Sequence, residues 1–167
     1  MSHPPASHRP ASHHPGASRP TTAASRPTTD EARRLHTNAV VDRGLELLLA
    51  HDMTAFALLW APDGTMEFPF AAAGQPARLD GQAAVVDYLA GYTAMLDVRG
   101  IASQTRHQTA DPSTVVVEFE VEGVAVATQK PYRLGYIAVI SVGDDGIVTY
   151  RDYWSPQAAA EVLGQPA

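Results

Sequence analysis

The sequence predicts an α+β fold: a cone-shaped, curved, mostly antiparallel sheet packed on three helices. Three observations predict it. Apolar residues recur at helical spacing through residues 30–60 and 82–96. Period-two alternation runs through the C-terminal half, as in "VVVEFEVEG". Turn chemistry in "ADPS" and "GDDG" separates the late strands at hairpin spacing. The resulting order is helix, helix, strand, helix, then four strands, which places helices against one sheet face.

The elements follow in order. Residues 1–29 are dominated by Pro, Ser, Ala, Thr, His and Arg. With no aromatic or long aliphatic residue after Met1, burial cannot offset ordering entropy, and this segment is expected to be disordered. The irregular spacing of His3, His8, His13 and His14 fits a solvated tail rather than a metal site. Residues 30–167 are expected to form one domain.

Thr29 or Asp30 is the expected cap of the first helix, in which Val40, Val41, Gly44, Leu47 and Leu48 share a stripe. Asp52 is the expected cap of a second helix, "MTAFALLW", and "APDG" reads as a turn. "GTMEFPF" reads as a strand with Met66, Phe68 and Phe70 on one face, and Pro69 marks it as short or at an edge. "AAAGQPARLDG" reads as a loop. "QAAVVDYLAGYTAML" reads as one helix, with Val85, Tyr88, Leu89, Tyr92 and Met95 along a stripe. Strands are expected over about 98–108, 114–128, 132–142 and 147–154, then a helix from Pro156 to Leu163 stopped by Gly164.

Composition excludes several functions. There is no cysteine, so neither disulfides nor thiolate chemistry contributes. No apolar run approaches the roughly 20 residues of a membrane helix, and the N-terminus lacks a signal-peptide core. The protein is expected to be cytoplasmic, with no membrane partner. Three of the 12 basic residues (Arg9, Arg19 and Arg26) lie in the tail, so the body is strongly acidic, which argues against nucleic acid. No glycine-rich phosphate loop is present and no His joins the acids at metal-ligand spacing, so no cofactor or metal is expected.

The strings "LLWAPDGTMEFPF", "LDGQAAVVDYLAGY", "DPSTVVVEFEVEG" and "GDDGIVTYRDYWSP" resemble the nuclear transport factor 2-like superfamily, and within it the SnoaL-like, polyketide-cyclase-type proteins. The resemblance covers about residues 32–163. It implies a cone enclosing a mostly apolar pocket, and a homodimer through the outer sheet face. Against the steroid isomerases, the base position matches Phe68 and the oxyanion Asp falls near Ala138. Against the limonene-type epoxide hydrolases, "RDYWSP" puts Asp152 in the acid's place, while Phe119 and Val121 stand where that network has Arg and Asp. "RDYWSP" also resembles a phenazine A/B-type string whose pocket acid again falls on Asp152. SnoaL-type cyclases use a late acidic residue, and Asp152 is the nearest match.

Asp152 is therefore the foremost site residue. Among Tyr150, Trp154 and other aromatics it would be desolvated and made a better base near neutral pH. The alternative is a structural ion pair with an arginine. Tyr136 shares a face with Tyr132, Leu134, Ala138 and Ile140; it is either a hydroxyl donor to a ligand carbonyl or a core tyrosine. His107 is either a proton shuttle or a rim residue. Trp60, Met66, Phe68, Tyr88, Tyr92, Phe119, Tyr150 and Trp154 are the expected ligand-binding wall, although such spacing also suits plain core. His36 and His51 read as structural. Glu67 and Arg151 read as a structural polar layer, with a buried pair as one form of it. Glu118, Glu120 and Glu122 read as a solvated or dimer-facing surface.

Two functions are compatible with these residues. The first is a cofactor-free cyclase, isomerase or dehydratase acting on a small hydrophobic, carbonyl-bearing molecule, with Asp152 as acid/base. The second is a dimeric, non-catalytic ligand-binding or interaction module.

Overall fold

The computed structural model describes residues 28–164. The expected disordered segment lies outside the described residues except for its last two positions. Thr28 caps helix α1 (Thr29–Leu49) through a capping box, accepting from the Glu31 N–H at 3.1 Å while Glu31 reaches back to the Thr28 N–H. The cap is thus Thr28, not Thr29 or Asp30. Asp52 caps α2 (Met53–Ala57) as expected.

Strand β1 (Trp60–Glu67) runs straight through "APDG", the segment expected to turn. It is held extended by parallel pairing with a distant strand, across a register irregularity between Trp60 and Thr65. It stops before Pro69. Phe68 stays buried, whereas Phe70 leaves the shared face and stands 62% exposed against Tyr153. The loop read from "ARLDG" contains a three-residue strand, β2 (Arg78–Asp80), antiparallel to β1, so β1 is not an edge. The single helix expected next breaks at Gly91, a poor helix former, into α3 (Gln82–Leu89) and α4 (Tyr92–Met95).

The remaining elements are β3 (Leu96–Gln108), β4 (Thr114–Ala125), β5 (Pro131–Gly143), β6 (Gly146–Trp154) and α5 (Pro156–Leu163). Ser155 caps α5 and Gly164 ends it in the left-handed region. The sheet order is β2-β1-β6-β5-β4-β3. Among the described residues only β1 with β6 is parallel; every other pair is antiparallel. The sheet is curved and does not close. No helix among the described residues is long and apolar enough to cross a membrane.

The core lies on one sheet face. Val41 and Leu48 of α1, Ala57 of α2, and Val85 and Leu89 of α3 meet Val117, Val121, Leu134, Ala138 and Ile140 of the sheet. The buried Thr37 hydroxyl stands 3.1 Å from the Pro112 carbonyl, and the Arg34 guanidinium donates to the Thr109 carbonyl at 2.8 Å. These bonds fix α1 to the β3–β4 turn and lay it across the sheet.

Candidate active site

β6 carries the alternation that decides the site. Tyr150 and Asp152 point into the cone and are buried, while Arg151 is exposed on the other face. Ala138 is the register partner of Asp152 on β5, and its small side chain leaves room beside the carboxyl group. The ion-pair alternative fails, because Asp152 has no cationic partner among the described residues. Its Oδ1 is buried without any hydrogen-bond partner.

Asp152 shares a cavity of about 50 Å³ with Tyr92, Tyr136, Tyr150, Phe119 and Met66. The Tyr92 and Tyr136 hydroxyls are 3.4 Å apart. The Tyr136 ring stacks on Phe119, its register partner on β4, at 5.2 Å and 14°. Tyr150 leans on Trp60 at 5.3 Å, and Trp60 on Phe56 at 5.6 Å. Helices supply the other walls: Leu48 from α1, Met53 and Phe56 from α2, and Leu89 from α3. These four were not foreseen as site residues. Their only sequence signal is helical apolar spacing, which core and cavity share.

The electrostatics follow from burial. Loss of water raises the Asp152 carboxyl to about 7, since nothing nearby stabilises its charge. Burial also raises the Tyr136 and Tyr150 hydroxyls well above 10, and the Asp152 charge adds to both shifts. Tyr92 is raised by burial too, with its Tyr136 bond opposing the shift. The site therefore holds one carboxyl poised near neutrality among hydroxyls that stay protonated and can donate.

The other expected site residues take different places. Trp60 is core behind Tyr150. Phe68 is buried and packs on Tyr88 at 5.0 Å, and Tyr88 is 37% exposed, toward the rim. Trp154, opposite Tyr136 in register, is half-buried, packs against the core and does not line the Asp152 cavity. His107 does not join them. It bonds Glu118 at 2.9 Å, and both side chains are about half exposed on the outer sheet face. Glu120 and Glu122 on that face pair with Arg133. The expected Glu67–Arg151 pair does not form. The two are register partners, yet Glu67 is taken by Arg78 of β2. His51 is tied to the Val98 carbonyl at 2.7 Å and is structural, as expected.

Comparison with known proteins shows the family and the fold. The SnoaL-like domain model matches residues 41–151. The uncharacterised YesE protein of Bacillus subtilis is 38% identical over 117 residues, covering 70% of this chain and 80% of its own. An uncharacterised PhzA/B-like protein of Pseudomonas aeruginosa, PA3332, is 31% identical over 130 residues, 78% of this chain and 92% of its own. The crystal structure of a candidate isomerase from Bacillus subtilis superposes with a TM-score of 0.74 at 33% identity, over 83% of this chain and 98% of that one. A candidate polyketide cyclase from Xanthomonas campestris shares the fold, with a TM-score of 0.66 at 19% identity over 78% of this chain and 98% of that one. The chain belongs to the SnoaL-like family, a ligand-binding family of the nuclear transport factor 2-like fold whose structural neighbours include cyclase- and isomerase-type proteins.

Proposed function

We propose that the protein is a cofactor-free cyclase, isomerase or dehydratase acting on a small hydrophobic, carbonyl-bearing molecule held inside the cone. One observation carries this reading: the buried Asp152 carboxyl with an unpartnered oxygen, set among tyrosine hydroxyls. The ionised carboxylate takes a proton from the carbon next to the substrate carbonyl. The electron pair of that C–H bond moves onto the carbonyl oxygen and makes an enolate. The Tyr136 hydroxyl, supported by Tyr92, donates a hydrogen bond to that oxygen. Return of the proton to another carbon gives an isomer. Attack of the enolate carbon on a second carbonyl of the same molecule gives a ring, and the new alkoxide takes the proton from Asp152. Loss of a β-hydroxyl, with that proton, gives water and an alkene. His107 takes no part in these steps.

A thermal-shift screen of small cyclic ketones and 1,3-diketones against wild type and Asp152→Asn tests this. Hits that are turned over by wild type alone are the expected result. Hits that stabilise both proteins alike and never turn over would overturn the catalytic reading.

A second reading, a dimeric binding or interaction module, is favoured by the outer sheet face. There a concavity of about 810 Å³ is bordered by Phe70, Ile137, Tyr153 and Trp154, while the interior cavity is small. Ile137 is 44% exposed. These apolar side chains, set beside the polar Ser103, Thr105, Glu118 and Glu120, suit a second copy of the chain. Light scattering is expected to give twice the 17.8 kDa chain mass; a monomer at micromolar concentration would remove the dimer from this reading.

A further inference from the structure

The outer concavity is built on one cross-strand row. Tyr153 of β6, Ile137 of β5 and Glu118 of β4 are successive register partners, and Phe70 leans on the Tyr153 ring at 5.7 Å. One row away, Glu120 faces Gly135, which has no side chain and leaves the floor open. A Cβ at Gly135 would meet nothing within 4 Å. The result is an exposed aromatic and aliphatic strip edged by two carboxylates. His107 bonds Glu118, and Arg133 stands 3.6 Å from Glu120 while bonding Glu122 at 2.8 Å. These pairs are exposed, and exposed pairs exchange partners at little cost.

The chain carries a segment of matching chemistry. "ASRPTT" occurs at residues 17–22 and again at 24–29, and "ASHRP" at 6–10. Each of Arg9, Arg19 and Arg26 precedes a proline, and residues 1–27 contain no acid. A residue before proline is biased toward extended backbone, so each repeat offers a guanidinium beside a proline ring. Extended proline-rich segments dock in aromatic grooves, and a guanidinium both pairs with carboxylates and stacks on rings. The segment also has the reach. Thr28 begins α1 at the sheet rim, since Arg33 bonds Asp144 of the β5–β6 turn and Arg34 bonds the Thr109 carbonyl beside the β3–β4 turn. From Asp144 back to Ile137 is about 23 Å at the strand rise. From Thr28 back to Arg19 is about 28 Å in an extended proline-rich chain.

We propose that the outer concavity is a docking groove for the chain's own Arg-Pro repeats, with a guanidinium at Glu118 and Glu120 and a proline ring on Ile137 and Tyr153. The inference does not rest on the role of Asp152. A tethered segment meets the groove at an effective concentration of about a millimolar, so weak docking suffices. The same face cannot hold the repeats and a second copy together. The segment is thus a built-in competitor for the pairing of chains and makes that pairing dependent on concentration.

Because the chain has no cysteine, Ala17→Cys in the full chain carries a single nitroxide label beside Arg19. Its effect is read in nitrogen-15 amide spectra. The signals of Glu118, Ile137 and Tyr153 are expected to lose most of their intensity. Leu45, about 25 Å from Thr28 along α1 on the opposite side of the sheet, is expected to keep its own. The loss should be reversed at about 1 M salt, where charges are screened beyond about 3 Å. It should also vanish in Gly135→Lys, which fills the groove and opposes the guanidinium, and persist in Gly135→Ser. If Gly135→Lys fails to fold, Glu118→Lys with Glu120→Lys removes the carboxylates instead. Broadening that falls with distance from Thr28 alike on both sheet faces would overturn the inference, as would broadening that survives these charge changes. A mixture of labelled chain and unlabelled nitrogen-15 chain should show no loss; a loss equal to that within one chain would give the groove to another copy and overturn it too.

Discussion

Asp152→Asn is expected to make the protein more stable above pH 7 and to cut the turnover proposed for it. The folded carboxyl sits at about 7 because burial disfavours its charge, whereas in the unfolded chain it titrates near 4. Below about pH 4 both states hold the proton and the charge penalty is absent. Between about 4 and 7 the unfolded chain releases its proton while the folded one keeps it, so stability falls as pH rises. Above 7 the loss is complete, at about 4 kcal/mol. Asparagine keeps the shape without the charge. Its own buried amide gives back about 1–3 kcal/mol of that gain. Urea melts at pH 5 and pH 8 are the check. Wild type should lose stability between them relative to the variant, since every other titrating group is common to both proteins and cancels. Turnover should fall about 10²–10⁴-fold, the usual contribution of a general acid or base. The buried carboxylate is thus held at a cost in stability.

The second large effect is expected at Gly146, 6 positions before Asp152 on the same strand. Gly146 opens β6 at φ 124, a conformation that L side chains rarely adopt. A Cβ there would collide with the Leu59 carbonyl oxygen, which accepts the Ile147 N–H at 2.8 Å. Gly146→Ala therefore combines backbone strain of about 1–3 kcal/mol with a backbone collision at the join of β6 to β1. A loss of about 3 kcal/mol or more is expected in urea unfolding. The proposed catalysis should fall with it, because a one-residue slip of β6 would turn Asp152 outward and Arg151 inward. A variant that keeps wild-type stability would mean that this junction does not fix the register of β6.

What the sequence reveals and conceals has a physical pattern. Alternation in "GIVTYRDYW" assigns Asp152 and Tyr150 to one face and Arg151 to the other, and the strand keeps that assignment. Alternation is a local property, so it survives folding. The misreadings concern partners distant in the chain. "APDG" has the residues of a turn, yet pairing with β6 stretches it into β1. Glu67 and Arg151 do face the same layer and are register partners, but the short β2, with only three residues and no visible period, brings Arg78 to Glu67 first. His107 lies on a predicted strand, but its face depends on two register irregularities in β3 that no local pattern marks. The helical walls of the cavity, and its small size, depend on how side chains from α1, α2 and α3 meet over the sheet.

Asp152 is a desolvated carboxyl inside the cone with no cationic partner among the described residues. A carbon-13 NMR titration of aspartate carboxyl groups, with the resonance assigned by its loss in Asp152→Asn, tests it most directly. A midpoint near 7 is the predicted result. A midpoint at or below about 4, the range of a solvated or ion-paired carboxylate, would contradict it.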